Sequence, residues 1–365
     1  MDFLFILISI LIITLLIVVH EFGHFLAAKF YGFQTPIFGI GMPFGPYIEI
    51  CKKWGTHFRF YFLLIGGFVA IPETSDETSE ETLKDVDDLK PFRKFPVLPR
   101  AVVAVAGVTF NIIFAFLIAV IMSMSVGLPK ITPSTVIKGF TNDNSAAKLA
   151  GLEIGDKIVS VNGLEINDGT KLQSEIAKLK DQDIEIKVAN KNKSFKVHSE
   201  GVIGVQLSYE KQYVKTTNIF SALFSSLKFT IEATFMMILS VFAILASLIA
   251  KVLSVFGVQI SFETASLGDV KGIVGIVQLI SEDIKNNLWM ILEFAFLLNL
   301  NLAVINLLPI PALDGGHLVF LAYEAVFKKK PSAKLQETLI QAGFIFLLSL
   351  MALTTINDIR SFFIK

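Results

Sequence analysis

The chain has 365 residues, of which 53% are hydrophobic, 18% are charged and 34 are phenylalanines, and its mean hydropathy is +0.65. That composition excludes an ordinary soluble enzyme and belongs to a membrane protein. The 32 basic residues balance the 32 acidic ones, which argues against nucleic acid as a partner. A lone cysteine, Cys51, excludes an intramolecular disulfide and a cysteine-rich zinc site.

Residues 3–19 carry no charge, and an apolar helix is expected over roughly 3–30, long enough to cross a bilayer. Asp2 stands where a signal peptide has a basic residue, and the run continues into His20-Glu21, so it reads as a retained span. Its last part holds His20-Glu21-Phe22-Gly23-His24. Histidines four residues apart lie on one helix face, one turn apart. Two imidazoles so placed can hold one zinc ion, and the intervening glutamate can take a proton from an activated water. Polar residues of this kind are costly in lipid and read as functional.

Residues 35–72 are rich in glycine, proline and aromatics. Residues 47–51 and 58–62 read as short strands around a Lys-Lys-Trp-Gly turn. Non-helical backbone at membrane depth must pair internally or line a cavity. A membrane-associated β-hairpin is expected, either offering its edge to an extended substrate or plugging the helix bundle. Residues 73–94 form a polar loop, and a second apolar helix covers about 99–127. Asn111, strongly polar in its middle, is suited to bond a neighbouring helix or to serve a nearby site.

Residues 131–208 have soluble-domain composition. The run Ser145-Ala146-Ala147, Ala150-Gly151-Leu152 and Gly155-Asp156-Lys157-Ile158-Val159-Ser160-Val161-Asn162-Gly163 resembles a PDZ domain of the type attached to bacterial proteases. Such domains capture extended peptides by strand addition; a spacer without ligand is the plainer reading. Asn162-Gly163 signals a hairpin. Residues 217–257 are apolar but carry Lys228, Glu232 and Lys251, residues 291–313 are apolar and run into Pro309-Ile310-Pro311, and residues 337–357 form a last helix.

Basic clusters in residues 29–100 and 327–334 place those loops in the cytoplasm. The first helix then runs inward, the second outward, and the PDZ-like domain lies outside. Asp314 reaches the depth of the histidines if 217–257 does not cross, so four spans are expected, with 217–257 interfacial or re-entrant. A zinc protease site needs a third protein ligand and an open position. Asp314, in the broken segment Asn306-Leu307-Leu308-Pro309-Ile310-Pro311-Ala312-Leu313-Asp314-Gly315-Gly316-His317, needs a cation partner and is the candidate. His317 is its rival. His57 and His198 read as surface histidines.

The motif in the first helix, the PDZ-like insert and the Asn306–Gly316 element together resemble the site-2 protease family of intramembrane zinc metalloproteases, nearest the bacterial regulator-of-sigma-E protease type. The resemblance implies zinc on His20, His24 and Asp314, Glu21 as catalytic base and Asn306 as a residue that holds substrate or the transition state. It also implies regulated intramembrane proteolysis of single-span membrane proteins, anti-sigma factors or signal-peptide remnants, in a bacterial inner membrane. The glycine-rich stretches Gly39-Ile40-Gly41 and Gly66-Gly67-Phe68-Val69 resemble the family's membrane β-region. Two elements depart from its pattern: Gly107-Val108-Thr109-Phe110-Asn111 and Gly272-Ile273-Val274-Gly275. The competing reading is a non-proteolytic zinc-binding membrane scaffold acting through its PDZ domain.

The expected fold class is therefore a polytopic α-helical membrane protein of about four transmembrane helices, with a β-hairpin region and one inserted PDZ domain. The expected division is 1–128, 129–210 and 211–365, the first and last forming the membrane core. The expected partners are the lipid bilayer, single-span substrates and a peptide or substrate segment at the PDZ domain.

Overall fold

The computed structural model describes residues 3–64, 66–72, 92–142, 144–189, 191–255 and 289–363. Most of the polar loop expected over 73–94, and Gly272-Ile273-Val274-Gly275, lie outside the described residues. The chain divides into two compact units, one of residues 1–124 with 217–365 and one of residues 125–216.

In the first unit, helix α1 spans Phe3–Phe30. Gly32 ends it with φ +77°. The Gly32 N–H donates to the Lys29 carbonyl and the Phe33 N–H to the Ala28 carbonyl, a Schellman closure that needs a left-handed residue at the glycine. The turn swings Phe33 into a core with Phe25, Phe38, Val69 and Val103.

That core binds a sheet to the helices. Strands β1 (Ile37–Ile40), β2 (Tyr47–Lys53), β3 (Thr56–Tyr61) and β4 (Gly67–Val69) form it in the order β2-β3-β1-β4. The expected hairpin is β2–β3, antiparallel. It is only half of the sheet, because β1 pairs parallel to β3 and β4 pairs antiparallel to β1. Phe38 lies 5.5 Å from Phe25 and 5.7 Å from Phe58, ring centre to ring centre. Aromatic burial on α1 thus sets which face of the sheet turns inward. β2 is an edge strand and is exposed along its whole length.

Helix α2 (Val97–Ser125) lies against α1. A Cβ added at Gly23 would stand 2.5 Å from the Ala106 carbonyl oxygen, so the two backbones meet where no side chain intervenes. After the second unit come α5 (Ile219–Val255), α6 (Met290–Asn306), α7 (Asp314–Phe327) and α8 (Ala333–Phe363). The 37 residues of α5 make about 56 Å of unbroken helix. The expectation of a re-entrant segment over 217–257 is corrected by that continuity. Lys228 and Glu232 do not interrupt it: their side chains are exposed and 3.8 Å apart on successive turns, so neither charge is buried.

Among the described residues, four helices are long and apolar enough to cross a membrane: Leu7–Phe30, Val97–Ser125, Ile219–Ser247 and Ala333–Ile356. The set differs from the expected one, since it includes the start of α5, whereas α6 has only 17 residues. The expected apolar segment 291–313 divides into α6 and a non-helical stretch that ends where α7 begins. α6 packs on α5 through Phe229 and Phe296, stacked at 5.0 Å.

The second unit contains an antiparallel ladder of β5 (Leu128–Phe140) with β10 (Val205–Val214). It also contains α3 (Ala146–Leu149) and α4 (Gly169–Lys178). Its second sheet has the order β7-β6-β8-β9, formed by β6 (Ile158–Val161), β7 (Leu164–Glu165), β8 (Gln182–Val188) and β9 (Lys191–Ser199). Ile137, Leu152, Ile158, Leu172 and Ile186 share one core. The Asn162-Gly163 hairpin is present, with both residues at positive φ, 47° and 79°, as a two-residue turn between twisted strands requires. Asp168 caps α4 by accepting from the Thr170 N–H.

Candidate metal centre

Helix α1 presents His20 and His24 one turn apart, at 5% and 8% exposure. Their position beside α2 rests on a missing side chain. A Cβ at Gly107 would stand 2.4 Å from His24 Nε2 and 2.7 Å from His20 Cε1. Only glycine at this turn lets α2 cover both rings. His24 Nδ1 lies 2.7 Å from the Val103 carbonyl oxygen. A carbonyl can only accept, so Nδ1 carries the proton and Nε2 presents a lone pair inward.

Asp314 comes from the other end of the chain. Helix α6 stops at Asn306, two prolines prevent its direct continuation, and Ala312 adopts φ +88° just before α7 begins at Asp314. That left-handed conformation is strained for a residue with a Cβ. The glycines after Asp314 admit the turn closely: a Cβ at Gly315 would lie 2.2 Å from the Leu308 carbonyl oxygen, and one at Gly316 2.4 Å from that of Ile310. Further along the chain, Gly343 of α8 abuts the Pro311 carbonyl in the same way.

These constraints converge three donor atoms. Asp314 Oδ2 is 3.1 Å from His20 Nε2 and 3.3 Å from His24 Nε2, and the two Nε2 atoms are 3.2 Å apart. Bonds of the length zinc makes to N and O ligands, in tetrahedral geometry, put ligand atoms about 3.3 Å apart. Asp314 Oδ2 is buried and accepts no well-directed hydrogen bond. A buried carboxylate oxygen facing imidazole nitrogens needs a cation, so the donor set fits zinc. Among the described residues this is the one cluster of three or more His, Cys, Asp or Glu that could hold a metal ion.

Glu21 and Asn306 border the same point. Glu21 Oε2 accepts the Val69 N–H at 3.1 Å, so the last residue of β4 aims the carboxylate. Asn306 Nδ2 lies 3.4 Å from His20 Nε2. His317, the rival third ligand, is one turn further along α7 and is not part of the cluster. His57 pairs with Glu49 across the β2–β3 hairpin at 3.0 Å, and His198 with Asp183 across β9 and β8 at 2.9 Å. Each pairing has a titration signature. The His57 hydrogen bond holds the Glu49 carboxyl below its ordinary value, and the Asp183 hydrogen bond raises the His198 imidazole above its own.

Sequence reasoning named Gly107 and Val69 only as members of glycine-containing elements, gave neither a role at the centre, and did not name Asn299. Gly107 carried a usable signal, a glycine in an apolar helix four residues before an asparagine, which marks close backbone approach. Val69 acts through its backbone, and no side-chain pattern announces that.

Several known proteins are similar to this chain along most of its length. A protein of Campylobacter jejuni named "Putative zinc metalloprotease Cj1068" is 31% identical over 96% of this chain and 92% of its own length. The "Membrane metalloprotease ARASP, chloroplastic" of Arabidopsis thaliana is 33% identical over 98% of this chain and 79% of its own. A Nostoc protein named "Putative zinc metalloprotease all3971" is 33% identical over 94% and 92%. The family model described as Peptidase family M50 matches residues 8–350. The chain thus belongs to peptidase family M50, the site-2 proteases, and is a zinc metalloprotease.

Proposed function

We propose that this protein hydrolyses a peptide bond within or next to the transmembrane segment of single-span membrane proteins, with His20, His24 and Asp314 holding zinc. The observation that carries the reading is the convergence of Nε2, Nε2 and Oδ2, with both histidines on α1, a helix long and apolar enough to cross a membrane. The chemistry zinc supplies when bound is a nucleophile at neutral pH and polarisation of the scissile carbonyl. Glu21, steadied by the Val69 N–H, accepts the proton of the attacking water and delivers it to the leaving amine. Asn306 donates to the substrate carbonyl oxygen as charge develops there.

A helical substrate hides its peptide bonds in its own hydrogen bonds and must unwind before attack. The sheet beside Glu21 is the surface on which an unwound strand lies, by addition to an edge. The unit of residues 125–216 acts as a PDZ domain on the extracytoplasmic side of a bacterial inner membrane. There it binds a peptide or substrate segment and excludes substrates with bulky outer domains. Anti-sigma factors and signal-peptide remnants have the single-span form required. The test is cleavage of a single-span model substrate by the purified protein in detergent, parent against Glu21→Gln. Cleavage inside the transmembrane segment by the parent only is expected; cleavage retained by the variant would refute the role of Glu21.

A further inference from the structure

Helix α2 meets the histidine pair with one face. Val103, Gly107 and Asn111 stand on successive turns, and each does something different to the rings. The Val103 carbonyl receives His24 Nδ1–H. Gly107 leaves room for both imidazoles. The side-chain amide of Asn111 lies 3.2 Å from His20 Nδ1. His24 therefore has a fixed tautomer, set by a group that can only accept. His20 faces an amide, which can donate through one atom or accept through the other.

The amide sits in an environment with no other use for it. Asn111 is fully buried in an apolar helix, and its Oδ1 has no hydrogen-bond partner. Its backbone is held as well: Asn299 of α6, also fully buried, donates Nδ2–H to the Asn111 carbonyl at 2.5 Å. Two turns later α6 reaches His20 itself through Asn306. A polar side chain costs too much at this depth to be retained for packing alone.

We infer that Asn111 is the positioning residue for His20: its amide turns to accept Nδ1–H through Oδ1, leaving the Nε2 lone pair for the metal. An amide keeps its shape when turned by half a revolution, so the partner is chosen by hydrogen-bond chemistry. Donation from Nδ2 to Nδ1 would instead place the imidazole proton on Nε2, the atom that faces Asp314, and no metal could bind there. Asn111 thus does for His20 what the Val103 carbonyl does for His24, and Asn299 holds Asn111 in place. The inference rests on the proposed ligand set.

The experiment is zinc binding to the full chain in detergent, stripped with a chelator and titrated against a competing chelating dye. The cobalt(II) visible spectrum is a second readout. The variants are Asn111→Leu, Asn111→Ala, Asn111→Asp and His24→Ala, with unfolding of the metal-free proteins as the control for fold. Loss of an outer hydrogen-bond partner of a metal-ligating histidine costs about 10–100-fold in affinity. Asn111→Leu is expected to weaken zinc by that amount and to change the cobalt spectrum. Asn111→Asp keeps the acceptor and should bind close to the parent. Asn111→Ala removes the acceptor without added bulk and carries the same test where leucine is not accommodated. Parental affinity in Asn111→Leu or Asn111→Ala overturns the inference, as does an Asn111→Asp as weak as Asn111→Leu. Parental zinc binding by His24→Ala would overturn the ligand set itself, a separate failure.

Discussion

Gly107→Ala tests whether the site depends on a close helix crossing and not only on its polar residues. The added Cβ would stand 2.4 Å from His24 Nε2, 2.7 Å from His20 Cε1 and 2.8 Å from His20 Nε2. Ordinary contact begins near 3.4 Å, so the rings or the helix must retreat by roughly 0.6–1 Å. Neither ring can swing freely, because His24 is tied to the Val103 carbonyl and His20 to Asn111. Overpacking of this kind costs about 1–3 kcal/mol of stability. A misplacement of about 1 Å in a catalytic constellation costs about 100-fold in rate, equivalent to about 2.7 kcal/mol of transition-state stabilisation. The assay is kcat/KM on a single-span model substrate in detergent, with zinc content measured on the same sample. A fall of about 100-fold with reduced zinc is expected while the protein still unfolds cooperatively. Parental activity and parental zinc in Gly107→Ala would refute the close-crossing argument.

Two further predictions concern parts outside the centre. Arg100 of α2 and Glu324 of α7 pair at 2.6 Å with 4% and 14% side-chain exposure. Removing Glu324 leaves the buried Arg100 guanidinium without its partner, so Glu324→Gln should cost about 3 kcal/mol; Arg100→Met should cost less, because Lys330 and Arg93 still act on the Glu324 carboxylate. Thermal unfolding in detergent checks this, and a double variant no less stable than either single one is expected. In the second unit, hydrogen bonding to Asp183 raises the His198 imidazole above its ordinary value of 6.5. The raised value in the folded state means that the pair stabilises at pH below the unfolded value and that this contribution is lost as pH rises through the folded one. NMR titration of His198 should report the upward shift, and Asp183→Asn should reduce it, with Glu200 and Asp181 left to raise the imidazole; an unchanged titration would sink the assignment. Because both side chains are exposed, the effect on stability is small.

The local features of this chain were legible because they depend on neighbours in sequence. The spacing of His20 and His24 is a property of any helix. The apolar runs gave α1 and α2 to within a few residues, and Asn162-Gly163 carried its own hairpin. Asp314 was legible as a carboxylate out of place in a proline- and glycine-broken apolar segment, though residue chemistry by itself left His317 beside it as an alternative.

Tertiary structure decided what depends on distant partners. The parallel pairing of β1 with β3 and the addition of β4 follow from burying Phe38 and Val69 against α1, a long-range contact with no local signal. The continuity of α5 was missed because the expectation for 217–257 rested on bringing Asp314 to the depth of the histidines, an argument about the number of crossings that carries no information on local helix structure. Asp314, rather than His317, meets the two imidazoles because Gly315 and Gly316 fold the turn against the Leu308 and Ile310 carbonyls. Glu21 is aimed by a backbone N–H, and both histidines are oriented from α2. Helical periodicity can place such groups on one face of one helix. Only the packing of α1, α2, α6 and α7 brings the groups of several helices to one point.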